Sequence, residues 1–208
     1  MAKKRSHDDI IQHMERHFGS VQEESLIEIV PTLGVAINVI RPKAENKWVM
    51  LFTTGMSDRP QSVPRGQDEY RYTELVIRLP ADWSMDDKAL RNPSNFWPFE
   101  WLRRIAAYPH DNDTWLGGPY TIIATDDPPV PLAPNTKLSC LMLLREQGEK
   151  GTVQCQDGRA IALYSIIPLY TEERDLELAS GVRELLTRFQ SRGISTVVDL
   201  ARVNVGRE

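Results

Sequence analysis

Asn95-Phe96-Trp97-Pro98-Phe99-Glu100-Trp101-Leu102-Arg103-Arg104-Ile105-Ala106-Ala107-Tyr108-Pro109-His110-Asp111-Asn112-Asp113-Thr114-Trp115-Leu116-Gly117-Gly118 is the stretch on which the fold turns. It carries three of the five tryptophans, with Phe96, Phe99 and Tyr108 among them. Each such ring removes roughly 150–250 Å² from water when buried. Phe99, Leu102, Ile105 and Ala106 recur at helical spacing and define one apolar face. Pro98 is compatible with a first helical turn, and Pro109 is expected to stop the helix. The spacing predicts a central helix on which a sheet packs.

Strand signals lie on both sides of that helix. Leu26 to Val30 and Val35 to Ile40 are rich in β-branched residues and are separated by the turn signal Pro31-Thr32-Leu33-Gly34. Trp48 to Thr54 reads as a third strand, closed by Gly55-Met56-Ser57-Asp58-Arg59-Pro60. Residues 56–69 hold prolines, Gly66 and charges, and read as a surface loop. Tyr70 to Leu79 alternates in part and ends at Pro80, which has no N–H to donate to a ladder. Downstream, Tyr120 to Ile123, Leu138 to Leu144, Val153 to Cys155 and Ile161 to Leu169 read as strands, with Asp157-Gly158 as a hairpin turn. Asp126 to Pro134 is too proline-rich for helix or central strand.

The ends read as helices. Ser6 is the expected cap of an N-terminal helix, with Asp8 and Asp9 at its positive end and Gly19 closing it. Thr171-Glu172-Glu173 opens a last helix with an apolar stripe from Leu176 to Phe189, a kink at Gly181 and its end at Gly193, and the tail from Ile194 to Val205 packs back. These signals predict an α+β fold: a largely antiparallel mixed sheet packed against a central helix, with N-terminal and C-terminal helices, residues 1–208 forming a single domain.

Composition narrows the function classes. The 208 residues are long enough for one sizeable core, and 41% apolar with 26% charged is ordinary for a soluble protein. A net charge of −4 argues against nucleic-acid or anionic-membrane binding, both of which call for basic surface. The N-terminus has no signal-like apolar run and no segment reaches the length of a membrane span, so a cytoplasmic location is expected. Cys140 and Cys155 suggest buried thiols rather than a disulfide framework or zinc site. His13 and His17 are spaced i, i+4, but no third ligand follows and a solvated polar face is expected. No cofactor or metal is expected.

Catalytic signatures are weak. His110, Asp111 and Asp113 put a base beside two carboxylates, and a hydrolase built on that loop is the rival reading. It would need a nucleophile beside the base, and neither Ser57 nor Ser165 lies in a nucleophile-elbow motif. Gly117-Gly118 alone is a turn rather than a phosphate or dinucleotide loop. His110 is expected to be a loop residue at the helix end, where its charge suits the dipole.

Several blocks together resemble the Suppressor of fused family: Thr54-Gly55-Met56-Ser57-Asp58-Arg59-Pro60, Thr73-Glu74-Leu75-Val76-Ile77-Arg78-Leu79-Pro80, and Trp97 through Arg104. The resemblance continues through Tyr108-Pro109-His110, Asp113-Thr114-Trp115-Leu116-Gly117, Pro168 to Arg174 and Gly181 to Leu186, from about Trp48 to Val205. The length is similar to the stand-alone bacterial type, without the second domain of the animal regulator. The resemblance implies a non-enzymatic binder of another protein or peptide. In animals the partners are transcription factors; in bacteria, members are proposed to be immunity proteins that neutralise toxins. Beside it, the sequence offers a partner site: Tyr70 to Leu79 as a free strand edge, flanked by the Gly55–Pro60 loop, with Met56, Asp58, Arg59, Tyr72, Glu74 and His110 as candidate contacts.

Overall fold

The computed structural model describes residues 2–22, 27–30, 34–43 and 47–207. In chain order these form α1 (Ala2–His17), β1 (Ile27–Val30), β2 (Val35–Ile40), β3 (Trp48–Thr54), β4 (Thr73–Pro80), α2 (Asp87–Leu90), α3 (Pro93–Asp111), β5 (Tyr120–Ala124), β6 (Cys140–Arg145), β7 (Thr152–Gln154), β8 (Ala160–Leu169), α4 (Thr171–Ser180) and α5 (Val182–Ser191). The β-branched and aromatic runs become strands, with β3 spanning the expected residues. The turn signal at 31–33 lies outside the described residues.

The strands form one mixed sheet in the order β1-β2-β3-β4-β8-β6-β5, with β7 also paired to β8. Every pairing is antiparallel except β4 with β8. Alternate side chains of a strand point to opposite faces, and β8 shows how the two faces are filled. Ala162, Tyr164 and Ile166 pack in one cluster with Trp97, Phe99, Leu102 and Ile105 of α3. On the other face Ile161 and Leu163 meet Ile10 and Met14 of α1. Further along that face, Ile167 and Leu169 meet Leu185 and Phe189 of α5. The aromatic helix thus covers one face, and the terminal helices share the other.

Four local expectations are corrected. The central helix begins at Pro93, because the Asn92 side chain caps it by accepting the Ser94 N–H at 3.0 Å. Pro98 and Pro109 both lie inside it. Ser6 is not the cap of α1; it lies inside the helix, buried, and accepts a hydrogen bond from Arg159. Gly181 does not kink one C-terminal helix but separates two, with φ 81° and ψ 161°, a conformation that side chains disfavour. Finally, β4 is no edge. It lies between β3 and β8, and Thr73 to Leu79 are all buried.

The tail returns as read: Val198 and Val205 are buried, and the Val198 N–H donates to Arg78 O at 2.8 Å. Cys140 and Cys155 are free, buried thiols, and burial pushes both upward, Cys155 to about 11.

Candidate functional site

At the C-terminal end of β3 the chain makes a tight reversal. Gly55 has φ 95°, and a Cβ placed there would stand 2.3 Å from the Gly34 carbonyl oxygen, so only glycine fits. Met56–Asp58 then form a single 3₁₀ turn, closed by the Asp58 N–H on Gly55 O at 3.2 Å.

Glu74 of β4 anchors this turn from below. Its Oε1 accepts the Ser57 N–H at 3.0 Å and the Ser57 hydroxyl at 2.7 Å, while Oε2 accepts the Thr53 hydroxyl at 2.6 Å. Thr53 Oγ1 in turn accepts the Leu75 N–H at 2.8 Å. The carboxyl is wholly buried, and that burial pushes it up to about 7; the Thr53 and Ser57 donors pull downward, and the nearby Asp58 charge adds to the rise.

Other side chains stitch the loop down. Gln61 donates to the Thr73 hydroxyl and accepts the Leu116 N–H at 2.7 Å. Arg159, beyond the Asp157-Gly158 turn, donates to Ser57 O at 3.0 Å, to Asp157 at 2.8 Å and to Ser6 of α1. Its guanidinium lies 5.1 Å from the centre of the Tyr72 ring.

His110 closes the other side. It stands in the last turn of α3, not in the loop beyond, and its Nε2 meets Met56 O at 3.3 Å. A carbonyl can only accept, so this nitrogen carries the proton. Burial lowers the ring's pKa and the Arg59 charge lowers it further, against the Met56 bond and the Asp111 charge.

The six residues singled out in the sequence therefore surround one loop, in two roles. Met56 and Glu74 are buried and hold the turn, so their side chains do not face solvent as contacts. Arg59 is exposed, and Asp58, Tyr72 and His110 are partly so. Thr53, Ser57, Gln61 and Arg159 were missed. The hydroxyls beside Gly55 are the one local signal for the first two; Arg159 arrives from a distant hairpin and leaves none.

The rival hydrolase site is not assembled as read. The His110 ring bonds to a backbone carbonyl, Asp111 and Asp113 are exposed, and Asp113 accepts the Ser62 hydroxyl. Ser165 is buried elsewhere, between Arg78 and Glu146. His13 is not on a solvated face: it is buried, with Nε2 at 3.0 Å from Lys150 O, and burial lowers its pKa. Among the described residues no three His, Cys, Asp or Glu side chains converge as metal ligands, and no helix is long and apolar enough to cross a membrane.

A mixed sheet with an aromatic helix on one face and a glycine-reversed turn pinned by a buried carboxylate defines an α+β domain of the type first suggested by the sequence blocks. The family model described as Suppressor of fused protein (SUFU) matches residues 32–203, and the chain belongs to that family. No curated protein matches its sequence. Among solved structures, the chain is similar to a SUFU homolog from Neisseria gonorrhoeae FA 1090, with TM-score 0.59, 14% identity and 96% of each chain covered. A structure solved as the Sufu-Fu complex gives TM-score 0.66 at 14% identity, covering 98% of this chain and 93% of that one. Drosophila Suppressor of Fused gives 0.52 at 15% identity; 98% of this chain spans half of that one. At such identities the likeness speaks for the fold. The helix α1 precedes the matched residues.

Proposed function

We propose that this chain is a protein-binding domain with no bond-making chemistry of its own, residues 1–208 acting as one unit, and that it serves in the cytoplasm as an immunity protein against a toxin. The observation that carries this reading is the turn on Glu74. A buried carboxyl is a costly anchor, and here it fixes a surface loop that carries Arg59 and Asp58 beside His110. Such fixation lowers the ordering cost of binding, because the charged groups are already in place when a partner arrives. The groups with catalytic potential, Glu74 and the His110 ring, are engaged within the fold, which supports binding over hydrolysis. The similar fold solved as a Sufu-Fu complex supports a protein partner.

Co-expression with proteins encoded beside its gene tests the proposal. A toxin among them should be captured by the wild-type chain and its growth arrest relieved. Arg59→Glu should lose both effects while melting as the wild type does. Capture and protection that survive Arg59→Glu would remove this surface from the interface, and no protection by the wild type would remove the immunity role.

A further inference from the structure

The helix α1 is tied to the rest of the chain by polar links as well as apolar ones. Ser6 accepts a hydrogen bond from Arg159, and Asp9 accepts the N–H and the side-chain amide of Gln156 at 3.0 Å each. His13 Nε2 meets Lys150 O at 3.0 Å, while Ile10, Met14 and Phe18 pack on the sheet. The same helix touches the Met56–Asp58 turn. Arg159 joins the two, since one guanidinium nitrogen donates to Ser6 and the other to Ser57 O.

His13 is the link that acid can break. A carbonyl can only accept, so Nε2 carries the proton and Nδ1 holds the lone pair that a second proton would take. The imidazolium so formed would be only 7% exposed and would face charges of both signs. On α1 the cations are Arg16 and His17, whose ring centre lies 4.6 Å from that of His13, and the anion is Asp9, already engaged by Gln156. The facing segment brings Lys150 and the solvent-exposed Glu149. Burial lowers the ring's pKa from 6.5; the Lys150 bond opposes this, and His17 and Arg16 add to it. A cavity of about 630 Å³, lined by His13, Arg16, His17, Glu149, Thr152 and Gln154 among others, gives water a path to the ring. Docking of α1 is therefore complete above about pH 6.5 and weakens as pH falls.

We propose that α1 is an acid-released clasp on the turn that carries Arg59: a proton taken up by His13 loosens the helix, and Arg159 passes the loosening on to Ser57. The effect on partner binding rests on the reading of that turn as the binding surface. With α1 docked, the guanidinium is shielded between Ser6, Asp157 and the Tyr72 ring, where its bond to Ser57 O is strong. With α1 away, water competes for the same donors and the turn loses a support.

Hydrogen exchange followed by NMR on the whole chain tests this. Between pH 7 and pH 5 the amides of Ile10 to His17 should exchange about fivefold faster relative to Leu51 of β3, after correction for intrinsic rates. His13→Gln keeps a donor for Lys150 O and cannot titrate, so its ratio should stay constant. His17→Gln should keep the response and move it to higher pH, because one opposing charge is gone. At pH 7, where His13 is neutral, Ile10→Ala should loosen α1 and speed exchange at Ser57 and Asp58. Ser6→Ala, which removes only the link to Arg159, should do the same and keeps the test valid if Ile10→Ala unfolds. The proposal falls if α1 exchanges alike at both pH values, if His13→Gln keeps the response or His17→Gln abolishes it, or if neither Ile10→Ala nor Ser6→Ala changes the turn. None of these measurements needs a partner, so a chain that neutralises no toxin can still show the clasp and one that does can lack it.

Discussion

The two ends of α3 treat polar and apolar groups in opposite ways. At the C-terminal end His110, Glu74 and Ser57 are drawn inward and matched donor to acceptor. At the N-terminal end Phe96 is 41% exposed and the Trp97 indole N–H is buried without an acceptor among the described residues. Buried polar groups are nearly always satisfied and large apolar side chains usually covered, so the first end is what stability alone produces. The second departs from it in both respects. The difference teaches that rigidity and incompleteness have been placed at separate sites on one helix.

That contrast breaks if the open end is no more than loosely packed core. Trp101 decides, since with Phe96 and Val130 it lines a groove between the N-terminal half of α3 and residues 125–132, yet is only 9% exposed, with the Arg104 guanidinium 5.1 Å above its ring. Trp101→Ala should cost about 3–5 kcal/mol in urea unfolding, as large-to-small core changes do. Phe96→Ala, its neighbour in the groove, should cost under about 1 kcal/mol. Similar losses at both positions would mean that the groove belongs to the core and that no surface has been left open.

The sealed end is tested by removing its anchor. Glu74→Ala leaves the Thr53 hydroxyl and both Ser57 donors buried and unpaired, and should cost roughly 3–4 kcal/mol. An unchanged unfolding midpoint would show that water enters and that the turn is not sealed.

This is also where the sequence was hardest to read. The aromatic face of α3, the run of β3 and the family blocks were legible, because periodicity and motif are local properties. The place of β4 was not. Tyr70 to Leu79 alternates in part and reads as a free edge, yet Glu74 and Arg78 are both buried. Their partners are Thr53 and Ser57 for the one, Glu146, Ser165 and Thr196 for the other. Partners that distant in the chain leave no trace in a strand's own pattern. His13 misled for the same reason, since the Lys150 carbonyl that receives it is far away.

Acid titration sharpens the comparison further, because the sealed end should carry a pH signature. The folded state raises the Glu74 carboxyl from 4.5 to about 7. Between those values the folded protein holds a proton that the unfolded chain has released, so stability falls as pH rises. The contribution is complete below about pH 4.5 and lost through about pH 7, roughly 3 kcal/mol in all. His13 and His110, both lowered by burial from 6.5, act with the opposite sign and lose stability as pH falls. Glu74→Gln should therefore leave a profile in which stability simply rises with pH over this window. A variant profile parallel to that of the wild type would mean that the carboxyl titrates alike in both states and that the turn is solvated.

The smallest expected effect lies at the open end. Trp97→Phe shrinks a buried ring, which costs stability through lost packing, and at the same time removes an N–H that has no acceptor among the described residues. An unpaired buried donor costs about 1–3 kcal/mol, so its removal offsets most of the lost contact and the net change should stay within about 1 kcal/mol. Crystals or NMR of the variant should show an unchanged sheet. A loss of several kcal/mol would mean that the indole N–H has a partner after all, in bound water or in the face of Trp83, whose ring centre lies 6.1 Å from that of Trp97 at 82°. In that case the two ends of the helix would be equally complete, and the exposed pair Phe96 and Val130 would be all that marks the groove.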